Sequence, residues 1–284
     1  MDTLNISQCP EVTVKCFLLL RFLFAIEEQG TTSEIPLNRA KNRERVVYVS
    51  AIALKWAATW DQTPQAIAAQ LAEILKPLCC PDFAVQVAPS GIIELELTDA
   101  GLAFWLQRLA QIPLPVPEYR TLSPVISADR LFPIQYSHAR CCSLLRMADR
   151  DRLIAIAQPN VTTAPQIWSL AAPNPIPWVD EGDRRLLLVA PAERSLISEL
   201  IAVLDCLAPV FEANQPEKPV NYFKLANSLS AAFQTFYSQC RIWGEVKTEQ
   251  PKLAQARLGL ILATQSLLRF ILEELLSAIA PIEL

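Results

Sequence analysis

From Cys16 to Ile26 the chain reads C-F-L-L-L-R-F-L-F-A-I, apolar except at Arg21. Eleven helical residues at about 1.5 Å each fall well short of a bilayer core of roughly 30 Å. Arg21 also interrupts any secretory apolar region, and no small-residue cleavage site follows in Glu27-Glu28-Gln29-Gly30. The run therefore predicts a buried helix and no membrane segment. Val46 to Trp60 places Val47, Ala51, Leu54 and Ala58 at helical spacing. Thr63-Pro64 supplies an N-cap and a first-turn proline for a helix through Ile67, Leu71, Ile74 and Leu75. Phe83–Val87 and Ile93–Leu97 alternate with period two about Pro89-Ser90-Gly91, which predicts a two-stranded unit; Asp99 then caps a helix to about Ala110.

The later sequence is helical in pattern. Phe132–Met147 and Pro191–Phe211 are candidate helices, the latter with Leu196, Leu200, Val203, Leu204 and Leu207 on one side. Val220–Cys240 gathers Phe223, Ala226, Leu229, Phe233, Phe236, Tyr237 and Cys240 on a stripe, and Lys252–Ile279 does so with Leu260, Thr264, Leu267, Leu268, Ile271 and Leu275. Stripes at this spacing are normally core. No strand alternation stands out here beyond Leu186–Val189. The expected fold is mainly α: a small α+β N-terminal domain over residues 1–111, a Pro-rich linker over 112–129, and an all-α helical bundle over 130–284. Ile112-Pro-Leu-Pro-Val-Pro117 makes the linker extended and semi-rigid. The prolines between Pro159 and Pro177 read instead as a long ordered loop, with Trp168 and Trp178 to bury or to present to a partner.

Composition narrows the chemistry. The 284 residues include 22 prolines but 6 glycines, an argument against Gly-rich phosphate loops. A single histidine, His138, excludes any mechanism that needs two. Eight cysteines include the vicinal pairs Cys79-Cys80 and Cys141-Cys142 but no C-x-x-C, so buried, reduced thiols in a cytoplasmic protein are expected, with no metal site and no cofactor. Asp149 with Asp151 and Glu273 with Glu274 read as solvated helix-end charges rather than acid–base pairs, and His138 as a packed histidine, so no catalytic residue is assigned.

Two segments carry a family likeness. Phe132-Pro-Ile-Gln-Tyr-Ser-His-Ala-Arg-Cys-Cys-Ser-Leu-Leu-Arg146 resembles the stretch leading into the anticodon-binding domain of arginyl-tRNA synthetases. Tyr222-Phe223-Lys-Leu-Ala226 with Phe233–Tyr237 and Cys240 resembles that domain's next helix. Gln255-Ala256-Arg257-Leu258 resembles the one after, which gives the DALR domain its name, although the first position departs from it. The front half is similar to the family's N-terminal additional domain at Thr63–Leu71 and at Val87–Ile93, without that domain's Gly-Asp element. In the synthetases a catalytic domain of several hundred residues separates these two parts, whereas here the Pro-rich stretch stands in that place. The H-x-G-H signature needs two histidines, and Met147 precedes Ala148-Asp149 rather than the Ser-Lys of the second signature. The resemblance therefore implies a non-catalytic tRNA-binding protein, with arginine tRNA as ligand and a tRNA-modifying enzyme or regulator as a possible recipient.

The overall charge of −4 advertises no nucleic acid, yet charge is uneven. Lys218–Arg269 carries seven basic residues against two acidic ones, and Ile35–Trp60 five against one. Arg140, Arg241, Lys252 and Arg257 are candidate phosphate ligands in the bundle, Tyr237 and Trp243 candidate stacking residues, and Arg39, Lys41 and Arg43 a second basic group. Two other readings stand beside this one: solvated helix faces, and a protein–protein adaptor that kept the fold and gave up RNA. The adaptor would use Trp168 and Trp178, and the ending Ala280-Pro-Ile-Glu-Leu284 departs from the family's usual Arg-Met close.

Overall fold

The structure is a computed structural model; it describes residues 13–27, 35–42, 44–111, 114, 126–157, 168–211 and 220–284. The chain falls into two compact units, residues 1–102 and 103–284. Most of the Pro-rich stretch 112–129 lies outside the described residues, as do Arg43, Lys218 and Pro159–Pro165.

The first unit runs α1 (Val14–Glu27), β1 (Leu37–Arg39), β2 (Val47–Ser50), α2 (Ile52–Trp60), α3 (Pro64–Cys79), β3 (Phe83–Val87) and β4 (Ile93–Leu97), with α4 (Asp99–Gln111) crossing the division between units. The apolar run forms α1 as expected, with Val14, Leu18, Phe22, Ala25 and Ile26 buried. Thr63 Oγ1 accepts the Ala66 N–H at 3.3 Å and so caps α3. The β3–β4 pair is also as expected, but it belongs to a four-stranded antiparallel sheet of order β1-β2-β4-β3. The helix expected over Val46–Trp60 is thereby corrected. Val47-Tyr48-Val49-Ser50 is a strand between β1 and β4, and only Ile52–Trp60 is helical. Its buried face is Ile52, Ala53 and Trp56, whereas Leu54 and Ala58 of the apparent stripe are exposed. β-branched and aromatic side chains at 47–49 favour the pleated surface, and tertiary pairing overrode the helical spacing.

The second unit is a helical bundle: α5 (Ala128–Arg150), α6 (Pro191–Cys206), α7 (Ala208–Phe211), α8 (Tyr222–Gln239), α9 (Glu245–Glu249) and α10 (Pro251–Phe270). Two expected helices are shorter than their patterns. Pro191–Phe211 breaks at Leu207, and regular helix in Lys252–Ile279 stops at Phe270, followed by a π turn over Ile271–Leu275. The bundle also holds a short strand pair with no sequence signal, β5 (Ala155–Ile156) with β6 (Leu170–Ala172). Two and three residues are too few to display a period.

Side-chain contacts give the helix directions. Along α5 and α8, Arg130 meets Phe223, Pro133 meets Ser230, Ser137 meets Gln234 and Arg140 meets Tyr237, so the two helices run parallel. α10 runs opposite to α5, since Gln265 meets His138 and Gln255 donates to the Leu153 carbonyl beyond the end of α5.

Trp178 is buried, not offered to a partner. Its indole N–H donates to Gln107 Oε1 at 2.7 Å, and the ring lies on α10 where a Cβ at Gly259 would fall 2.4 Å from Trp178 Cη2. Gly259 is thus required for the close approach. Glu193 and Arg257 form a second lock between α6 and α10 (2.7 Å); Glu193 is 1% exposed and also accepts the Ala190 N–H at 2.8 Å.

His138 is fully buried on α5. Its Nδ1 donates to the Pro281 carbonyl (2.8 Å), which fixes Nε2 as the acceptor from Gln265 Nε2 at 3.0 Å. Burial, helped by nearby Arg269 and opposed by the bond to Pro281, holds the imidazole down at about 4. The buried thiols move the other way, with Cys142 pushed up to about 12. The described cysteines form no disulfide.

Two outcomes follow for stability. Trp178→Ala costs about 3–5 kcal/mol in a urea or thermal melt, as expected of a core tryptophan. Between pH 6.5 and about 4 the unfolded chain takes up a proton at His138 that the folded chain refuses. Stability therefore falls by up to roughly 3 kcal/mol as the pH drops through that window, and a pH series of melts shows a flatter fall for His138→Gln.

Candidate nucleic-acid interface

α5 follows Ser127, whose backbone is extended, and its 23 residues divide their circumference among several neighbours. Successive residues step about 100° around a helix. Ile134, Cys141 and Leu145 are buried, Pro133 and Ser137 face α8, and Gln135, His138 and Arg146 bond to the segment after the π turn. Phe132, Tyr136 and Arg140, spaced four apart, remain as a line along the outside.

On that line Phe132 is 55% and Tyr136 43% exposed, with ring centroids 6.3 Å apart. Arg140 lies over the Tyr237 ring, 4.8 Å from its centroid, and donates to the Tyr237 hydroxyl. At the start of the strip Arg130 lies 4.5 Å over the Phe223 ring, beside exposed Lys224. The α5–α8 seam therefore presents two exposed rings, Phe132 and Tyr136, beside two half-buried ones, Phe223 and Tyr237, each covered on one side by a guanidinium group. Such a surface offers π faces for unpaired bases and charge for the phosphates between them.

The structure brings together only part of the residue set read from the sequence. Arg140 and Tyr237 sit on the strip as a bonded pair. Arg241 is exposed beyond the end of α8, and its carbonyl accepts from Arg257. Trp243 is half-buried, with its indole N–H donating to Asp151 Oδ2 at 2.9 Å. Lys247 reaches the same oxygen at 2.9 Å, and these two bonds hold the Asp151 carboxyl below its ordinary value. Lys252 pairs with Glu181 at 2.8 Å on the surface. Arg257 is held by Glu193 in the α6–α10 lock. Arg39, half-buried on β1, and Lys41, exposed just after it, belong to the other unit, and Arg43 lies outside the described residues.

The basic stretch 218–269 is therefore largely neutralised in space. Lys247, Lys252, Arg257 and Arg269 are paired with Asp151, Glu181, Glu193 and Glu273. Three of these four carboxylates lie before residue 218, where a count along the sequence misses them. Phe132, Tyr136, Arg130 and Phe223 were absent from the set. The signal that finds them is the four-residue spacing Phe132–Tyr136–Arg140 on a helix whose other sectors are occupied. Among the described residues no three of His, Cys, Asp or Glu are grouped to hold a metal ion, and no helix is long and apolar enough to cross a membrane.

Residues 134–278 match the DALR anticodon binding domain, a span that takes in α5 from Ile134 onward and the whole of α6, α8 and α10. The chain is similar to arginine–tRNA ligases. It is 33% identical over 148 residues to that of Synechococcus sp. (strain JA-3-3Ab), covering 52% of this chain and 21% of the relative. It is 33% identical over 156 residues to that of Moorella thermoacetica, covering 55% and 22%. A longer match, 28% over 183 residues, is to that of Symbiobacterium thermophilum and covers 64% and 27%. The matched stretch thus takes in about a fifth to a quarter of each relative's length. No solved structure matches the chain. With just over half of its residues matched across the bundle, the chain belongs to the DALR anticodon-binding domain family.

Proposed function

We propose that this chain is a non-catalytic tRNA-binding module whose bundle holds an unpaired loop on the α5–α8 strip. The observation that carries the reading is the pair of exposed rings at Phe132 and Tyr136 with the half-buried Arg140–Tyr237 pair beside them, within a bundle of this family. The names of the relatives favour arginine tRNA as ligand. Within these 284 residues the one histidine is buried and twice bonded, so no H-x-G-H element is available for adenylate chemistry. The chain is read as two working modules, residues 1–111 and 130–284, with the Pro-rich stretch 112–129 as spacer. Arg130, Lys224 and Arg241 join Arg140 as phosphate ligands; Trp243, Lys252 and Arg257 are assigned to holding the bundle together. Arg39, Lys41 and Arg43 remain candidate backbone contacts of the first module.

Fluorescence anisotropy with labelled arginine tRNA and an unrelated tRNA, at about 50 and 200 mM salt, tests this. Binding is expected to prefer the arginine tRNA and to weaken by orders of magnitude across that range. Tyr136→Ala and Phe132→Ala each weaken it about tenfold or more, and Arg140→Ala lowers the salt slope by about one. Arg257→Met leaves Glu193 buried without its cation, so it lowers the melting temperature rather than the salt slope. Absence of binding at low salt, or strip variants that bind as the parent does, overturns the reading. An ATP- and arginine-dependent charging assay is expected to stay at the no-enzyme control, and turnover above it overturns the non-catalytic assignment.

A further inference from the structure

Where α5 and α8 finish, three arginines keep their charge free. Among the described residues no carboxylate forms an ion pair with Arg150, Arg152 or Arg241, and all three are exposed. Their neighbours Lys247, Lys252 and Arg257 are all paired. Asp151, between the first two arginines, accepts from Trp243, two residues after Arg241, which brings the three to one end of the bundle. Lys247 takes the same carboxylate oxygen, so Asp151 is already occupied. Glu245 and Glu249 each lie about 200° around α9 from Lys247, on the side turned away from Asp151.

Arg152 stands where an arginine is strained. α5 ends in a Schellman turn, in which Leu153 N–H donates to Ala148 O and Arg152 N–H to Asp149 O, both at 3.0 Å. Arg152 fills the left-handed position of that turn, at φ 58°, which favours glycine. Balancing the helix end does not require it, since Arg150 in the last turn already places a cation there. The side chain, not the backbone, accounts for this residue. The same end also continues the face of the strip. Phe132, Tyr136, Arg140, Ser143, Met147 and Arg150 follow at four- and three-residue steps, within about 80° of the α5 circumference. Between Phe132 and Arg150 the line runs about 27 Å and meets no acidic side chain.

Chemistry changes along that line. The exposed rings lie at its start; beyond Arg140 there are cations and no exposed ring, Trp243 being half-buried. Rings take unpaired bases, whereas charge without rings takes backbone whose bases are turned inward, as in a duplex. A duplex also presents one charge per about 1.7 Å of its axis, twice the density of one strand. We propose that Arg150, Arg152 and Arg241 form a second contact zone, for the paired backbone that adjoins an unpaired loop. This rests on the RNA reading of the strip and adds an orientation to it: the loop lies on Phe132 and Tyr136, and its stem passes the ends of α5 and α8.

The test is anisotropy of the full chain with three labelled RNAs: the loop alone, the hairpin, and a strand of hairpin length that cannot pair. A double variant, Arg150→Gln with Arg152→Gly, is expected to bind the hairpin at least about tenfold more weakly at about 50 mM salt, with a salt slope lower by about two. It binds the loop and the unpairable strand as the parent does. Glycine relieves the left-handed turn, so the variant keeps the parent's melting temperature and the loss is not one of folding. The proposal is overturned if the variant binds the hairpin as the parent does, or if the parent binds hairpin and unpairable strand equally. In both cases the loop alone is still bound and the strip reading stands; no binding of any RNA at low salt overturns both. If a polyglutamate peptide binds and the variant loses it while keeping the hairpin, the zone belongs to an acidic protein and the proposal is likewise overturned.

Discussion

The hydroxyls of Ser137 and Ser230 meet at 2.6 Å inside the α5–α8 seam, both buried. Ser230 also donates to the Pro133 carbonyl and Gln234 to Ser137, so the contact is a small polar network in an otherwise apolar interface. Apolar packing is indifferent to small slides of one helix along another. A buried hydroxyl is not, because losing its partner costs about 1–3 kcal/mol. The network therefore sets the register of α8 on α5, and that register places Arg130 on Phe223 and Arg140 on Tyr237. The strip is a consequence of two serines beneath it.

Local features of the chain were legible in the sequence wherever the cause was local. The Thr63 cap, the alternation in β3 and β4, and the stripes on α6, α8 and α10 all depend on near neighbours. The strand at Val47–Ser50 was not, because its pairing with β4 depends on residues nearly fifty positions away. Whether Trp178 is buried or offered to a partner was left open for a related reason. Its partners Gln107 and Gly259 lie 71 and 81 positions from it, and only a close approach to a glycine makes room for the indole.

The candidate site was legible in kind but only partly in place. The proposed strip lies on helices that carry the family motifs, and Arg140 and Tyr237 sit on it as a bonded pair. The basic stretch suggested more free charge than exists, since ion pairs form between elements that a running count keeps apart. Arg257, in the motif-bearing helix, is occupied by Glu193, a residue that sequence reading had no reason to couple to it. His138 repeats the lesson: a lone histidine in a motif serves as a two-sided connector between α10 and the tail segment.

The parallel run of α5 and α8 carries an electrical consequence. Each helix bears about half a positive charge at its first turn and half a negative charge at its last. Antiparallel neighbours such as α5 and α10 cancel these ends, whereas the parallel α5 and α8 add theirs, so α10 offsets only part of the sum. The first turns near Ala128 and Tyr222 stand at the same end of the strip, with Arg130 and Lys224, tempered by Asp129. The strip thus has a direction as well as a charge: the helix ends favour an anionic strand at the Phe223 end, while toward Tyr237 the attraction rests on the side chains of Arg140 and Arg241.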